Sequence, residues 1–306
     1  MGISQYIKEI GRGPRGSKPL TREQAADLFG QLLDGNVTDL EIGAFCLAMR
    51  IKGETPEEMC GFLDAAHSRM ALFPASDRPV IVLPSYNGAR KLPVLTPLLA
   101  LLLAREGLPV LLHGMRTEAR RTLASDVLLA LGVPALTAPE KIATGSVAHI
   151  ETGYLHAALA RLLKVREVVG LRNAGHSIVK LMNPCAGPAV VVTSYTHPEY
   201  YDMLQATFGA LHMTALLSRG LEGEVATDPR RTPRYDAFVA GVHQLLQEQQ
   251  PGTAADEPAL PTEIDIDTTA RYTQDVLDGR LPVPPALAQQ VEHILHLAAQ
   301  TPPHAP

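Results

Sequence analysis

Residues 80–116 constrain the fold most tightly. Val80-Ile81-Val82-Leu83 is an apolar run that ends in the polar loop Pro84-Ser85-Tyr86-Asn87-Gly88-Ala89-Arg90-Lys91. An apolar helix over 93–105 follows, then Leu108-Pro109-Val110-Leu111-Leu112-His113-Gly114-Met115-Arg116. Strand, glycine-containing loop, helix, strand and basic loop make a βαβ unit whose two loops leave the same sheet edge. Ligands of open α/β sheets sit at that edge, so function is expected to begin there.

The surrounding sequence divides in two. Thr21, Asp39 and Thr55-Pro56 each open an apolar periodicity and start three helices within residues 20–72. After Pro74, strands alternate with helices: strands at 80–83, 110–112, 133–136, 189–193 and 213–217, and helices at about 119–131, 152–168, 199–208, 268–278 and 285–299. The C-terminal part also holds an acidic strand-like stretch, and the end from Thr301 is expected to fray. The expected fold class is therefore α/β: a small helical N-terminal domain, residues 1–74, and a larger α/β domain, residues 75–306, with an acidic C-terminal region.

Cys46, Cys60 and Cys185 lie in apolar surroundings without C-x-x-C spacing, which excludes a disulfide framework or a zinc ribbon. The N-terminus lacks the apolar run of a signal peptide, and the apolar run at 95–104 is too short to span a bilayer. A cytoplasmic protein without membrane contact is expected.

Net charge is -5, but residues 237–306 alone carry -7, so the first 236 residues sum to +2. Basic residues cluster there. Lys8, Arg12, Arg15 and Lys18 mark an N-terminal arm whose glycines and Pro14 disfavour helix, expected to be mobile. Arg90, Lys91, Arg116, Arg120 and Arg121 flank the two sheet-edge loops, with Arg120 and Arg121 in the first turn of the 119–131 helix, the wrong end for its dipole. Arg161, Lys164, Arg166, Arg172 and Lys180 form a third group, and Arg230 and Arg231 a fourth. Such patches favour polynucleotide phosphate, whereas no recognition helix, zinc finger or aromatic RNA-binding motif supports base readout.

Leu20-Thr21-Arg22-Glu23-Gln24-Ala25, Glu41-Ile42-Gly43-Ala44-Phe45, Lys52-Gly53-Glu54-Thr55-Pro56-Glu57-Glu58, His113-Gly114, Ala124-Ser125-Asp126-Val127-Leu128 and Asn183-Pro184 together resemble the anthranilate phosphoribosyltransferase superfamily, the glycosyl transferase family 3 fold. Gly11-Arg12-Gly13, Pro84-Ser85-Tyr86-Asn87-Gly88-Ala89-Arg90 and Arg219-Gly220-Leu221-Glu222-Gly223-Glu224 are most similar to its YbiB-like branch of DNA-binding proteins. The resemblance implies the architecture of class II nucleoside phosphorylases, a helical domain joined by part of residues 154–185, and homodimers formed through the helical domains.

The departures from the enzyme pattern are equally specific. Where the family cradles phosphoribosyl pyrophosphate on Gly-Thr-Gly-Gly-Asp, this chain has Ser85 to Arg90 with one glycine, and Tyr86 is expected to crowd the approach. The Asn-x-Ser-Thr motif retains only Thr96, and Lys-His-Gly becomes Leu112-His113-Gly114. The acidic magnesium motif keeps Glu222, loses its adjacent pair to Val225-Ala226, and has Glu224 nearby. The resemblance thus leaves a residual phosphate pocket of Ser85, Asn87, Gly88, Thr96, His113 and Gly114. No catalytic residue, metal or cofactor is expected. The expected function is sequence-independent nucleic-acid binding, chiefly DNA, by a homodimer. The alternative is a phosphoribosyl or glycosyl transferase with a remodelled pocket, in which case magnesium would be required and Arg166 would face an acidic acceptor.

Overall fold

The computed structural model describes residues 2–13, 15–118, 120–253 and 259–302. Three threonines organise the first quarter of the chain. Thr21, Thr38 and Thr55 cap α2 (Arg22–Leu33), α3 (Asp39–Lys52) and α4 (Pro56–His67), each in a capping box with Gln24, Glu41 or Glu58. Phe29, Phe45 and Phe62 converge between these helices with ring centroids 5.0–6.2 Å apart. A Cβ on Gly61 would stand 2.2 Å from the Arg22 carbonyl oxygen, so only glycine lets α2 and α4 approach this closely.

The N-terminal segment is not the mobile arm expected. Residues 4–10 form α1 (Ser4–Ile10), whose flanking Ile3 and own Ile10 are buried against the helical core. The Ile3 amide donates to Glu41 at 3.2 Å, and Lys18 returns to α1 by donating its amide to the Glu9 carbonyl at 3.0 Å. The apolar residues Ile3, Ile7 and Ile10 outweigh the glycines that follow. Pro14 of this arm lies outside the described residues.

From residue 80 the chain builds an eight-stranded sheet. Its strands are β1 (Val80–Ser85), β2 (Val110–Gly114), β3 (Ala135–Leu136), β4 (Val147–Glu151), β5 (Ala189–Tyr195), β6 (Ala215–Arg219), β7 (Tyr235–Val239) and β8 (Val242–Gln247). They lie in the order β3-β4-β2-β1-β5-β6-β7-β8, with the first six parallel and the last two antiparallel. β1 is buried along its whole length, as a central parallel strand covered on both faces must be. Val80, Val82, Leu111 and Val191 face the core shared with the helical domain, whereas Ile81, Leu83, Val110 and Val190 face a second core. The helices on that second face include α5 (Thr96–Arg105), α11 (Ile266–Leu277) and α12 (Pro285–Gln300). The chain leaves β1 toward β2 on one side and later fills β5 on the other, so the switch point lies where β1 and β5 end.

Several boundaries differ from expectation. α6 starts at Ala124 and ends at Ala130, because Thr122 is instead held in a bridge to Ala89 and donates its hydroxyl to the Ile264 carbonyl. Arg120 and Arg121 therefore precede the helix and do not oppose its dipole; Ala119 lies outside the described residues. The helix expected over 152–168 is two, α7 (Thr152–Leu155) and α8 (Ala157–Val169), broken at His156, whose Nδ1 accepts the Leu159 amide and caps α8. A short α9 (Gly175–Ile178) follows, and α10 (Tyr201–Ala210) lies between β5 and β6. The acidic run through Asp265 caps α11 rather than extending as a strand. Of the end expected to fray, residues 303–306 lie outside the described residues, and Thr301 is buried with its hydroxyl on the Leu297 carbonyl. Residues 154–185 are stitched to the helical domain by the Ala71 amide on the Leu155 carbonyl and the Phe73 amide on the Pro184 carbonyl. All three cysteines are buried and free.

Candidate functional site

The loop after β1 turns at Gly88, whose φ of +63° and tight contact with the Thr122 carbonyl suit glycine alone. Its amides point outward from the end of β1, an arrangement that attracts anions. The anion is internal. Glu224, from the loop after β6, places one carboxylate oxygen 3.0 Å from the Asn87 amide and 2.8 Å from the Gly88 amide. Its other oxygen accepts the Ser85 hydroxyl at 2.6 Å and the Thr96 hydroxyl at 3.1 Å. Glu222 does the same one turn further on, accepting the Arg90 and Lys91 amides at 3.0 Å each. Between them Gly223, at φ +83°, brings its α-carbon against the Asn87 side chain, where any Cβ would collide.

Four donors assigned to a phosphate pocket from the sequence are thus satisfied by a glutamate. His113 and Gly114 do not join them. Tyr86 turns inward, accepts the Thr152 hydroxyl at 2.8 Å and lies 2.8 Å from His113 Nδ1. The two groups share one buried hydrogen bond, and no hydrogen-bond partner meets the other ring nitrogen, Nε2, among the described residues. Burial pushes the His113 pKa down to about 3 and raises that of the Tyr86 phenol. Tyr86 therefore does not crowd the loop from outside, as expected, but braces it from beneath. Gly114 lets β2 pass the Ser85 carbonyl, 1.8 Å from where a Cβ would stand. Magnesium does not fit this donor set: Glu222 and Glu224 are engaged by amides, Val225 and Ala226 are buried, and the described residues contain no group of three or more potential metal ligands.

Behind this loop a group of cations converges. Lys180 Nζ donates to the Gly223 carbonyl at 3.1 Å, and burial pushes its pKa down to about 8 against the pull of Glu224. Desolvation also lowers the Arg172 pKa, with Arg166, Arg121 and Arg50 adding to the effect and Glu118 opposing it. Arg50, at the end of α3, was not singled out from the sequence; its only signal was its place in a last helical turn that also carries Lys52. Arg166 is bound to Glu118 and donates to the Thr117 carbonyl at 3.2 Å, tying α8 to the loop after β2.

The outer cations fall into two groups. Arg12 pairs with Glu9, Arg90 and Arg121 with Glu222, Arg116 with Asp126, and Arg230 with Asp228. Arg231 donates to the Gly252 carbonyl at 3.2 Å. Among the described residues, Lys8, Arg15, Lys18, Lys91, Arg120, Arg161 and Lys164 are exposed and have no carboxylate within ion-pair distance. No helix among the described residues is long and apolar enough to cross a membrane.

Residues 4–70 match the glycosyl transferase family, helical bundle domain. The uncharacterized protein YbiB of Escherichia coli (strain K12) is 38% identical over 298 residues, covering 95% of this chain and 92% of its own. Anthranilate phosphoribosyltransferase of Persephonella marina (strain DSM 14350 / EX-H1) is 28% identical over 294 residues, covering 91% and 83%. Among solved structures, anthranilate phosphoribosyltransferase from Thermus thermophilus superposes with a TM-score of 0.72 at 21% identity, over 96% of this chain and 87% of that one. The pairing of a small helical bundle with a larger mixed α/β sheet is the same in both. The chain therefore belongs to the glycosyl transferase family 3 superfamily, has the anthranilate phosphoribosyltransferase fold, and is a homologue of YbiB.

Proposed function

We propose that this protein is a homodimer that binds nucleic acid, chiefly DNA, through phosphate contacts and without reading bases. The observation that carries this reading is that Glu224 takes up the donors at the sheet edge while Lys8, Arg15, Lys18, Lys91, Arg120, Arg161 and Lys164, among other exposed cations, stand without carboxylate partners among the described residues. A loop whose amides and hydroxyls already hold a carboxylate has no equivalent set left for a pyrophosphate. The free cations on the N-terminal segment, the loops beside β1 and β2, and α8 suit a polyanion bound by counterion release. Leu40, Leu47 and Ile51 form an exposed apolar stripe along α3, which supports a dimer through the helical domain. Two copies double the basic surface.

The identity to anthranilate phosphoribosyltransferases favours a second reading, a transferase with a remodelled pocket. One pair of assays separates them. Fluorescence anisotropy with labelled single- and double-stranded DNA of scrambled sequences is expected to show binding at low salt with little preference among sequences. Pyrophosphate release from phosphoribosyl pyrophosphate and anthranilate is expected to be absent. Turnover together with absent DNA binding would overturn the proposal in favour of the enzyme.

A further inference from the structure

The two edges of the sheet are finished differently. β3 is two residues long and offers little for another strand to pair with. β8 is six residues long, and its one neighbour in the sheet is β7. Val242, His243, Gln244 and Leu245 are all exposed, and because successive side chains point to opposite faces, neither face of the strand is covered there. Val242 is 65% and Leu245 42% exposed. The far end is tied down: Leu246 packs on the second core, Gln247 donates to the Pro233 carbonyl at 2.7 Å, and the ladder shifts register between Tyr235 and Asp236. The regular, uncovered stretch is therefore Val242 to Leu245.

An exposed edge is ordinarily kept from pairing by a charge, a proline or a bulge along it. Residues 237–247 contain no Lys, Arg, Asp, Glu or Pro. The one titratable side chain of β8, His243, sets its Nε2 2.7 Å from the buried Asp236, which also accepts Arg234 and Tyr201. Glu248, the next charge along the chain, faces Arg234 at 3.7 Å. An edge without charge carries nothing to select a strand of different sequence, but it suits its own copy. Antiparallel pairing about a two-fold axis brings the same residues together, and a lysine or glutamate near the axis would meet its own charge. Opposite residues of such a pair share a face, so the axis must fall on a residue and not between two.

We propose that β8 pairs antiparallel with β8 of a second copy, with Gln244 on the two-fold axis. This register sets His243 opposite Leu245 and Val242 opposite Leu246, and keeps His243 from facing its own copy. The backbone groups on the open side of β8 then gain partners, and the exposed side chains of Val242 and Leu245 gain cross-strand neighbours. One six-residue pair is a small interface, so the joint forms at high protein concentration or where a bound polyanion holds copies side by side. The surface shares no residue with the apolar stripe on α3. On the dimer and DNA reading above, on which this consequence rests, two self-contacts on one chain extend into an array that fills DNA cooperatively instead of as separate dimers.

Sedimentation equilibrium of the full-length protein carrying Leu47→Asp and Ile51→Asp, which remove the proposed α3 contact, isolates the β8 joint. At high concentration this chain is expected to enter a monomer–dimer equilibrium. Gln244→Lys and Gln244→Glu, each added to that background, should weaken it several-fold or more by setting like charges across the axis, and an equal mixture of the two should restore it. Gln244 is exposed, so both variants keep the fold. Oxidation of a Gln244→Cys variant should give a covalent dimer, the three native cysteines being buried. Self-association that survives both charges, or a mixture that fails to restore it, would overturn the proposal. A chain that stays monomeric at every concentration would overturn it equally and leave the edge to a strand of different sequence, while the DNA reading stands or falls on its own salt series. On long duplexes, Gln244→Glu should lose the cooperative filling that the wild type shows; equal cooperativity in the two would overturn the extension to DNA.

Discussion

The Glu224 carboxylate lies 2.8 Å from the Gly88 amide nitrogen, across 136 residues of sequence, and holds the loop after β1 from within. Ser85, Asn87 and Thr96, three of the residues whose donors it satisfies, are buried. The contact joins the loops after β1 and β6 over the end of β5, and so closes the switch point of the sheet.

Removing that carboxylate leaves buried donors without an acceptor. Glu224→Ala is expected to lower the unfolding free energy by about 2–4 kcal/mol, and Glu224→Gln by less, since one oxygen remains while an amide NH₂ meets donors. Urea denaturation of the two variants measures this. A loss below about 0.5 kcal/mol for Glu224→Ala would mean that the carboxylate is dispensable to the loop, within the range of ordinary surface substitutions.

Acid should destabilise the fold through its buried imidazoles. His113 and His176 have folded pKa values pushed down to about 3, well below the ordinary value. Between the two values the unfolded chain binds more protons than the folded one, so stability is full above pH 6.5 and is lost as pH falls toward 3. Each histidine should cost on the order of 1–2 kcal/mol between about pH 6.5 and 4.5. His113→Gln, which keeps an acceptor for Tyr86, should flatten this slope; an unchanged slope would contradict the burial of a neutral ring.

The opposite end of the scale reports on Lys180. Its folded pKa of about 8 lies below the ordinary lysine value, so its charge weakens the fold at lower pH. Stability should rise as pH increases from about 8 toward 10, and the rise should disappear in Lys180→Met. Thermal denaturation across that interval checks it, with equal pH profiles for the two proteins as the contrary result.

The apolar stripe on α3 bears on assembly. Leu47→Asp combined with Ile51→Asp is expected to convert the proposed dimer to monomer in light scattering, with the monomer folded, because both side chains are exposed in the single chain. A wild type that is monomeric at high concentration would remove the dimer from the proposal.

Much of the scaffold was legible in the sequence because its signals are local. Thr21, Asp39 and Thr55 mark helix starts locally, although the cap of the second helix is Thr38, one residue earlier, and the fully apolar run Val80 to Leu83 reads as a strand. The β7–β8 hairpin escaped because its two-residue turn is Ala240-Gly241, with φ of +47° and +80°; alanine rarely takes that conformation and gives no turn signal. β4 escaped because Val147–Glu151 is short and carries a histidine that is buried only through the Val133 carbonyl of another segment. At the site, Ser85, Asn87 and Gly88 were grouped by their place after β1 and Thr96 by the family resemblance, and the glutamate on which all four donors meet was not legible. Glu224 reads only as an acid beside the remnant of a metal motif at Glu222 until the chain sets β6 beside β5 and turns its carboxylate onto the loop. Likewise, which arginines are neutralised depends on distant carboxylates such as Glu118 and Asp126.

Among the unpaired cations, Arg120, Arg161 and Lys164 are the best placed to divide the nucleic-acid reading into parts. Each alanine substitution should weaken DNA binding uniformly across sequences and reduce the salt slope by about 1, whereas Arg230→Ala should do less, its charge being shared with Asp228.

The most direct measurement is the affinity of the wild-type protein for DNA across a salt series from about 50 to 200 mM. Phosphate contacts by several of these exposed cations require log K to fall linearly with log salt, with a slope of about -3 or steeper for double-stranded DNA and little difference among sequences. No detectable binding at the lowest salt, or binding with a slope near zero, would contradict the proposal.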